Sequence, residues 1–117
     1  MKKIDLHMHI MTKLPIPKIG KFNLSSPKKM IAHMEELGID KAVLMSSGEK
    51  KIPFGKNSTC QKICEAYPNH FAWMCMLDEK DEETIYDRLA EYKRQGAIGV
   101  GELTINKNLN DSFLQAV

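Results

Sequence analysis

Short apolar runs alternate along the sequence with stretches whose apolar residues recur at helical spacing. Met30, Met34 and Leu37 form one such stretch, which we expect to face a sheet, because residues three and four apart lie on the same face of a helix. The apolar runs predict four β-strands, at residues 3–9, 41–46, 71–77 and 97–103. Strands that alternate with helices at about 30 residues per unit are typical of a parallel α/β sheet, which is the fold class we predict.

The first two predicted helices have clear boundary signals. The first begins at Pro27, with Ser26 as its N-cap, and ends at Gly38. The second begins at residue 57 or 58 and extends no further than Tyr67, because the proline that follows disfavours a helical conformation before it.

The third predicted helix has a charge order that suits the helix dipole. It has Asp81 near its N-cap and Gly96 after its last turn, with acidic residues first and basic residues last. Its Ile85, Leu89 and Tyr92 form an apolar stripe, which we expect to face the sheet.

The unequal lengths of the connections predict where functional residues lie. Links from helix to strand are short, whereas links from strand to helix are long, notably residues 10–26 and 47–56. Parallel α/β proteins place their sites at the carboxyl ends of strands, in the strand-to-helix loops. Functional residues are therefore expected immediately after each strand.

The last residues predict a fourth helix that begins near Asn110 or Asp111 and reaches Val117, where the sequence ends. A helix of about two turns is too short to be stable alone. We therefore interpret residues 1–117 as the first four βα units of a (β/α)8 barrel, truncated from a chain of about 250 residues. The alternative is a complete small doubly wound α/β domain with a short last helix.

Composition favours one globular unit and argues against several classes of function. The chain has 117 residues, 43% of them hydrophobic, and a formal net charge of +2. This small charge gives no long-range attraction to phosphate, so we expect no nucleic-acid or membrane partner. The longest apolar run is far shorter than the roughly 20 residues of a membrane-spanning helix. Three cysteines without a secretory signal predict reduced thiols in the cytoplasm.

The first predicted strand carries the most distinctive chemistry. Side chains alternate across a strand, so Asp5, His7 and His9 share one face. The other face holds four apolar residues, Ile4, Leu6, Met8 and Ile10. A strand between two helix layers should be almost wholly apolar, so its polar face is costly unless those groups are paired or ligated. Imidazoles at positions i and i+2 can reach one metal ion, and Asp5 can orient one of them.

A His-x-His pair alone is a weak signal, because it occurs by chance and can belong to a solvated edge strand. Here the pair lies at the carboxyl end of the first strand, follows an aspartate on the same face and precedes a long loop. This placement favours a divalent metal site in which His7 and His9 are ligands.

The Asp-Leu-His-Met-His sequence of residues 5–9 resembles the opening of the amidohydrolase superfamily of metal-dependent barrel enzymes. The resemblance is greatest to its amidohydrolase-related branch, which includes the aminocarboxymuconate semialdehyde decarboxylase type. It continues through residues 38–44, 67–71 and 96–103, and the last of these segments is the more specific. The resemblance implies hydrolysis of an amide, ester or lactone, or non-oxidative decarboxylation of a small carboxylate. It also implies one or two divalent ions, with zinc favoured.

Glu102, near the end of the fourth predicted strand, is the next candidate ligand. Taken alone, a strand-end carboxylate is more often a helix cap or a surface charge. In related barrels, including the TatD-type deoxyribonucleases, a matching glutamate can ligate metal, so the resemblance implies that Glu102 joins His7 and His9. It also implies further ligand histidines on strands five and six and an aspartate on strand eight. All of these, and with them the catalytic residues, are expected beyond residue 117, so this chain alone is expected to be inactive.

The expected partner is a small-molecule substrate. Six lysines in the two long loops could attract an anionic one, although ordinary solvated lysines in surface loops are the favoured explanation. These loop lysines, set against the single acid Glu49, are Lys13, Lys18, Lys21, Lys50, Lys51 and Lys56. A half-barrel also leaves strand edges and apolar inner faces uncovered, which favours pairing into a homo-oligomer.

The other residues that can bind metal have simpler interpretations. His33 is expected to be exposed on the first helix, and His70 lies in a tight turn at the opposite end of the strands from His7. The cysteines are expected to pack in the interior. These cysteines are Cys60, Cys64 and Cys75.

Two other functions remain open. A PHP-type metal phosphoesterase also begins with His-x-His on its first strand, but the Ser-Asp-Gly segment that usually follows is missing from residues 11–21. The remaining alternative is a complete, non-enzymatic α/β binding domain in which the histidines are incidental.

Overall fold

A computed structural model of the chain describes residues 2–10, 25–48, 55–78, 83–103 and 107–117. Three strands within these ranges form one parallel sheet in the order β1-β2-β3. The strands are β1 (Ile4–Met8), β2 (Lys41–Met45) and β3 (Phe71–Met74). The helices are α1 (Pro27–Leu37), α2 (Asn57–Ala66), α3 (Ile85–Arg94) and α4 (Ser112–Ala116). The predicted α/β class with a parallel sheet is confirmed.

Strand β1 contains a bulge that the sequence pattern does not predict. Asp5 pairs with Ala42 and Met8 pairs with Leu44, so β1 has one more residue than β2 between the two pairs. β2 and β3, by contrast, pair without interruption. A bulge bends a strand and redirects its side chains, so the strict alternation expected for residues 5–9 is interrupted.

Residues 97–103 do not form the fourth regular strand that the sequence predicts. Val100 makes a single parallel bridge to Cys75. The backbone follows β3 through three hydrogen bonds of 2.9 Å, from Ile98 N to Trp73 O, Cys75 N to Gly99 O, and Gly101 N to Cys75 O. Glycines weaken a strand, and Gly99 and Gly101 flank the bridge, so pairing stays local. The prediction of four βα units is therefore not shown: in the part of the chain that the structure describes, three strands are regular and the fourth is replaced by a bridged segment.

Helices α1 and α2 begin where the sequence predicts. Ser26 is the N-cap of α1 by position, although its side chain makes no capping hydrogen bond, and Pro27 is the first helical residue. Gly38 ends the helix in the left-handed conformation at φ 66°, which glycine adopts without steric cost. α2 starts at Asn57, one of the two predicted positions.

Helix α3 begins later than predicted. Its N-cap is Thr84 and its first residue is Ile85, whereas the predicted cap, Asp81, lies outside the described residues. Ile85 and Tyr92 are buried and Leu89 is partly buried against the core, so the predicted inner stripe is confirmed.

Helix α4 is short but anchored. Its N-cap is Asp111, one of the two residues near which the helix is predicted to begin, and Asp111 Oδ1 accepts a hydrogen bond from Phe113 N at 3.0 Å. Phe113 is fully buried in the core and so holds the helix in place.

Among the described residues, no helix has the length and apolar character needed to cross a bilayer.

The core surrounds the two inner strands. Leu44 of β2 and Trp73 of β3 are almost completely buried. Trp73 packs edge to face against Tyr92 of α3, with ring centroids 6.1 Å apart. Such aromatic pairs stabilise a fold beyond the area that they bury, so this contact fastens α3 to the sheet.

The apolar face of β1 is only partly covered. Met8 and Ile10 are buried as expected, whereas Ile4 and Leu6 are 59% and 66% exposed. β1 is the first strand of the described sheet, and the described elements cover only its carboxyl-terminal part. Leu37, the last residue of α1, is also exposed, contrary to the expectation that it faces the sheet.

Two leucine substitutions test the core. Leu44 is fully buried, so Leu44→Ala should leave a cavity and lower the free energy of unfolding by about 2–5 kcal/mol. Leu109→Ala is the matched control, because Leu109 is 88% exposed, and its effect should stay within about 0.5 kcal/mol. Urea denaturation followed by circular dichroism measures both. Equal losses in the two variants would contradict the placement of Leu44.

Candidate metal centre

Strand β1 delivers two histidines to the carboxyl end of the sheet. His7 lies in the bulged part of β1, and His9 follows Met8, the last residue of the strand. Their Nε2 atoms are 3.1 Å apart, and the rings meet edge to face with centroids 5.0 Å apart. Both imidazoles therefore point to one location in spite of the bulge.

Glu102 reaches the same location from the bridged segment beside β3. The hydrogen bond from Gly101 N to Cys75 O holds the preceding backbone against the sheet. Glu102 Oε2 lies 3.1 Å from His7 Nε2 and 3.5 Å from His9 Nε2. β2 and β3 lie between the two segments in the sheet, so the three side chains reach towards each other across the carboxyl ends of both strands.

The three side chains form a compact set of possible metal ligands. One ligand atom from each of His7, His9 and Glu102 lies within 4.8 Å of the others. Imidazole nitrogens and carboxylate oxygens are the donors that zinc and related divalent ions take, at about 2.0–2.2 Å. Two nitrogens and one oxygen therefore form a donor set that suits such an ion.

The set is open to solvent on one side. The side chains of His7, His9 and Glu102 are 54%, 28% and 42% exposed. Structural zinc sites are closed by four protein ligands, whereas catalytic sites keep a position for water or substrate. The arrangement thus has the form of an open site rather than a structural one.

Asp5 acts on His7 through the main chain. Its Oδ1 accepts a hydrogen bond from the backbone N of His7 at 2.9 Å. This bond supports the bulged stretch of β1 and so the position from which the His7 ring extends. The orienting role of Asp5 stays a prediction, and the contact that the structure describes is with the backbone of His7.

No pattern in the sequence singles out the buried polar residues that follow β2 or begin α2. Ser46, Ser47 and Asn57 lie after β2 or at the start of α2, and all three are buried. Ser46 Oγ accepts a hydrogen bond from Gly48 N, and the Asn57 side chain bonds to the backbone of Met76. Only the fold brings Asn57 to a partner 19 residues away.

The other two histidines lie outside the set. His33 is exposed on α1, with its Nδ1 3.3 Å from Glu36 Oε2. His70 lies in the turn that precedes β3, where its backbone N donates to Tyr67 O. Both positions agree with those expected from the sequence.

The predicted basic rim is described at one position. Lys56 is the N-cap residue of α2. The other five loop lysines and Glu49 lie outside the described residues. The rim therefore stays a prediction.

The three cysteines are free thiols. Cys60 and Cys75 are buried and Cys64 is partly buried. Burial raises the pKa of the Cys64 thiol to about 11, although the charge of Lys41 partly opposes this shift. Burial likewise raises the pKa of Cys75. Because the thiolate is the form that binds metal, these raised pKa values favour a packing role.

No protein-family model matches the sequence, and no curated protein matches it. Two solved structures are similar in fold. One is a probable 2-pyrone-4,6-dicarboxylic acid hydrolase from Acinetobacter baumannii with citric acid bound, at 20% identity and a TM-score of 0.65, covering 98% of this chain and 43% of that chain. The other is a 5-carboxyvanillate decarboxylase from Novosphingobium aromaticivorans with bound manganese and 3-methoxy-4-hydroxy-5-nitrobenzoic acid. It has 24% identity and a TM-score of 0.58, covering 75% of this chain and 29% of that chain.

Both solved structures are TIM-barrel enzymes of the amidohydrolase superfamily. At these identities the similarity shows the fold alone. The chain spans less than half the length of either protein, so its α/β arrangement corresponds to part of a barrel.

The raised pKa of Cys64 predicts slow alkylation of the folded chain. At pH 9, the ordinary pKa of the thiol, an unfolded cysteine is half ionised, whereas Cys64 with a pKa of about 11 stays mostly protonated. Because the fold favours the neutral thiol, the contribution of this group to stability is present below pH 9 and is lost as the pH rises towards 11. Iodoacetamide labelling with and without urea, read by mass spectrometry of the Cys64 peptide, measures the difference. Equal labelling rates at pH 9 would disprove it.

Proposed function

We propose that residues 1–117 are the N-terminal half of a single metal-dependent hydrolase barrel of the amidohydrolase type. The convergence of His7, His9 and Glu102 at the carboxyl end of a parallel sheet is the observation that carries the proposal. The similarity to part of two amidohydrolase-superfamily barrels supports it. We assign the remaining strands of the barrel to residues beyond Val117.

The cofactor we propose is one or two divalent ions, with zinc favoured. His7 and His9 would supply neutral nitrogens and Glu102 a charged oxygen, a donor set that suits zinc and also manganese. The manganese bound to the similar decarboxylase supports a divalent ion. Such an ion lowers the pKa of a bound water molecule and polarises the substrate. The remaining ligands and the catalytic acid–base group are expected beyond residue 117.

The substrate we propose is a small carboxylate. The reaction is hydrolysis of an amide, ester or lactone, or non-oxidative decarboxylation. The two similar enzymes are a hydrolase and a decarboxylase, and each holds a carboxylic acid in its solved structure. A cation at an open site attracts an anion of this kind.

The proposal extends to the cellular location of the protein and to its assembly with further strands or a second copy. Free cysteines suit a reducing compartment, so we place the protein in the cytoplasm. As an outer strand of the described sheet, β1 offers a backbone edge to a further strand, and its exposed Ile4 and Leu6 offer an apolar surface to the rest of the barrel or to a second copy.

Removing single ligands tests the proposed metal site. We expect the 117-residue chain to bind Zn²⁺, and His7→Ala or Glu102→Ala to weaken the affinity at least about 10-fold, because each removes one of three donors. Competition with a chromophoric chelator measures the affinity, and the same titration with Mn²⁺ tests the choice of ion.

His33→Ala is the matched control for the metal titration. His33 is an exposed histidine beside a carboxylate, as His7 is, but it lies outside the proposed site. Its affinity for Zn²⁺ should equal that of the unmodified chain. Absence of binding by the unmodified chain, or equal losses in His33→Ala and His7→Ala, would rule out the site.

The half-barrel assignment predicts metal binding without turnover. We expect the Zn²⁺- or Mn²⁺-loaded chain to leave 2-pyrone-4,6-dicarboxylate and 5-carboxyvanillate unchanged beyond the rate of the metal alone, because the assignment places the remaining ligands and the acid–base group beyond residue 117. Loss of pyrone absorbance and release of carbon dioxide are the readouts. Turnover that disappears on His9→Ala would contradict the assignment and indicate a complete active site.

A further inference from the structure

Residues 55–57, at the start of α2, contact the backbone at the carboxyl ends of all three strands. The first contact is with the segment after β2. The carbonyl oxygen of Gly55 accepts hydrogen bonds from Ser47 N at 2.9 Å and from Ser47 Oγ at 3.2 Å. Ser47 is buried, so these two hydrogen bonds fix Gly55 relative to β2.

The second contact is with the segment after β1. A Cβ atom at Gly55 would lie 3.2 Å from the carbonyl oxygen of Ile10 and 3.2 Å from Cys60 Sγ. Ile10 is almost fully buried and directly follows His9. Gly55 therefore packs so closely on the backbone beside His9 that a side chain there must displace one of its neighbours.

The third contact is with the segment after β3. Asn57 is 2% exposed, its Nδ2 donates to Met76 O at 2.9 Å, and its Oδ1 accepts from Met76 N at 3.0 Å. Met76 follows Cys75, whose carbonyl oxygen holds Gly101 N. Asn57 is thus linked through two backbone steps to the residue that precedes Glu102.

We propose that Gly55 and Asn57 are positioning residues that set the distance between the imidazoles and the carboxylate of the candidate metal site. Gly55 acts on His9 through Ile10, and Asn57 acts on Glu102 through Met76 and Cys75. This inference rests on the proposed function, because it concerns the geometry of the same ligands. Neither residue touches the ligand atoms, and both fix the backbone segments from which those ligands extend.

The effect of such an arrangement on metal affinity is large because ligand geometry tolerates little error. A binding constellation must be held within about 0.5 Å of its productive geometry. Groups that are hydrogen-bonded to metal ligands change affinity by about 10–100-fold when they are replaced, so we expect residues that act one or two backbone steps further away to fall at the lower end of that range. Gly55→Ala and Asn57→Asp should each act in this way, the second because it removes the donor to Met76 O.

Double-mutant cycles on the 117-residue chain test the two pathways separately. Zn²⁺ affinity is measured for Gly55→Ala and Asn57→Asp alone and in the His9→Ala and Glu102→Ala backgrounds. We expect each single substitution to weaken binding about 10-fold. Gly55→Ala should have no further effect once His9 is removed, and Asn57→Asp none once Glu102 is removed. When Gly55→Ala is combined with Glu102→Ala, or Asn57→Asp with His9→Ala, the fold-losses in Zn²⁺ affinity of the two single variants should multiply.

Gly99→Ala is the control for an added methyl group near the sheet. A Cβ at Gly99 meets Met74 at ordinary contact distances of 3.5–3.7 Å, so Zn²⁺ affinity should stay within about 2-fold of the unmodified chain. Circular dichroism confirms that each variant is folded. If Asn57→Asp does not fold, the Gly55→Ala cycle alone decides the inference.

Two patterns of results separate failure of this inference from failure of the proposed function. If His9→Ala and Glu102→Ala weaken Zn²⁺ binding but Gly55→Ala and Asn57→Asp do not, the metal site stands and the positioning role is wrong. If the positioning variants weaken binding equally in every background, their effect is general destabilisation and the role is also wrong. If His9→Ala and Glu102→Ala change nothing, the proposed metal site itself is wrong.

Discussion

Parallel strand pairing is the constraint from which the candidate site follows. Parallel strands run in one direction, so their carboxyl ends meet at one edge of the sheet. His9 and Glu102 lie near opposite ends of the sequence, yet both follow segments that run parallel to the inner strands, so they arrive at the same edge. An antiparallel arrangement of the same segments would send them to opposite edges. Strand direction thus accounts for the meeting of the two histidines and Glu102 at one end of the sheet.

Solvent exposure explains how three polar groups can meet on a sheet whose interior is otherwise apolar. Burying an imidazole or a carboxylate is costly unless it is paired. The side chains of His7 and Glu102 keep about half of their surface in water and lie within hydrogen-bond distance of each other, so little desolvation remains to be offset. The set therefore differs from the closed structural zinc sites of small domains, in which the metal supplies most of the folding free energy.

Local signals predict most of the secondary structure, whereas pairing between distant segments decides the rest. Pro27 and Gly38 mark the ends of α1 in the sequence itself, and the helix forms between them. The bulge in β1 depends on its register with β2, and the single bridge at Val100 depends on its pairing with Cys75, 25 residues earlier in the sequence. The convergence of the two histidines could be predicted from their position in the strand. The position of Asn57 could not, because its partners are backbone atoms of a distant segment.

Trp73 gives the chain an intrinsic optical reporter. It is the one tryptophan of the sequence, it is 1% exposed, and its ring contacts Tyr92 of α3. Its indole is surrounded by the core, so its fluorescence emission responds to the docking of α3 on β3. Damage confined to His7, His9 or Glu102 leaves that aromatic contact in place. Emission spectra can therefore distinguish loss of the helix layer from local loss of the polar cluster, without any attached dye.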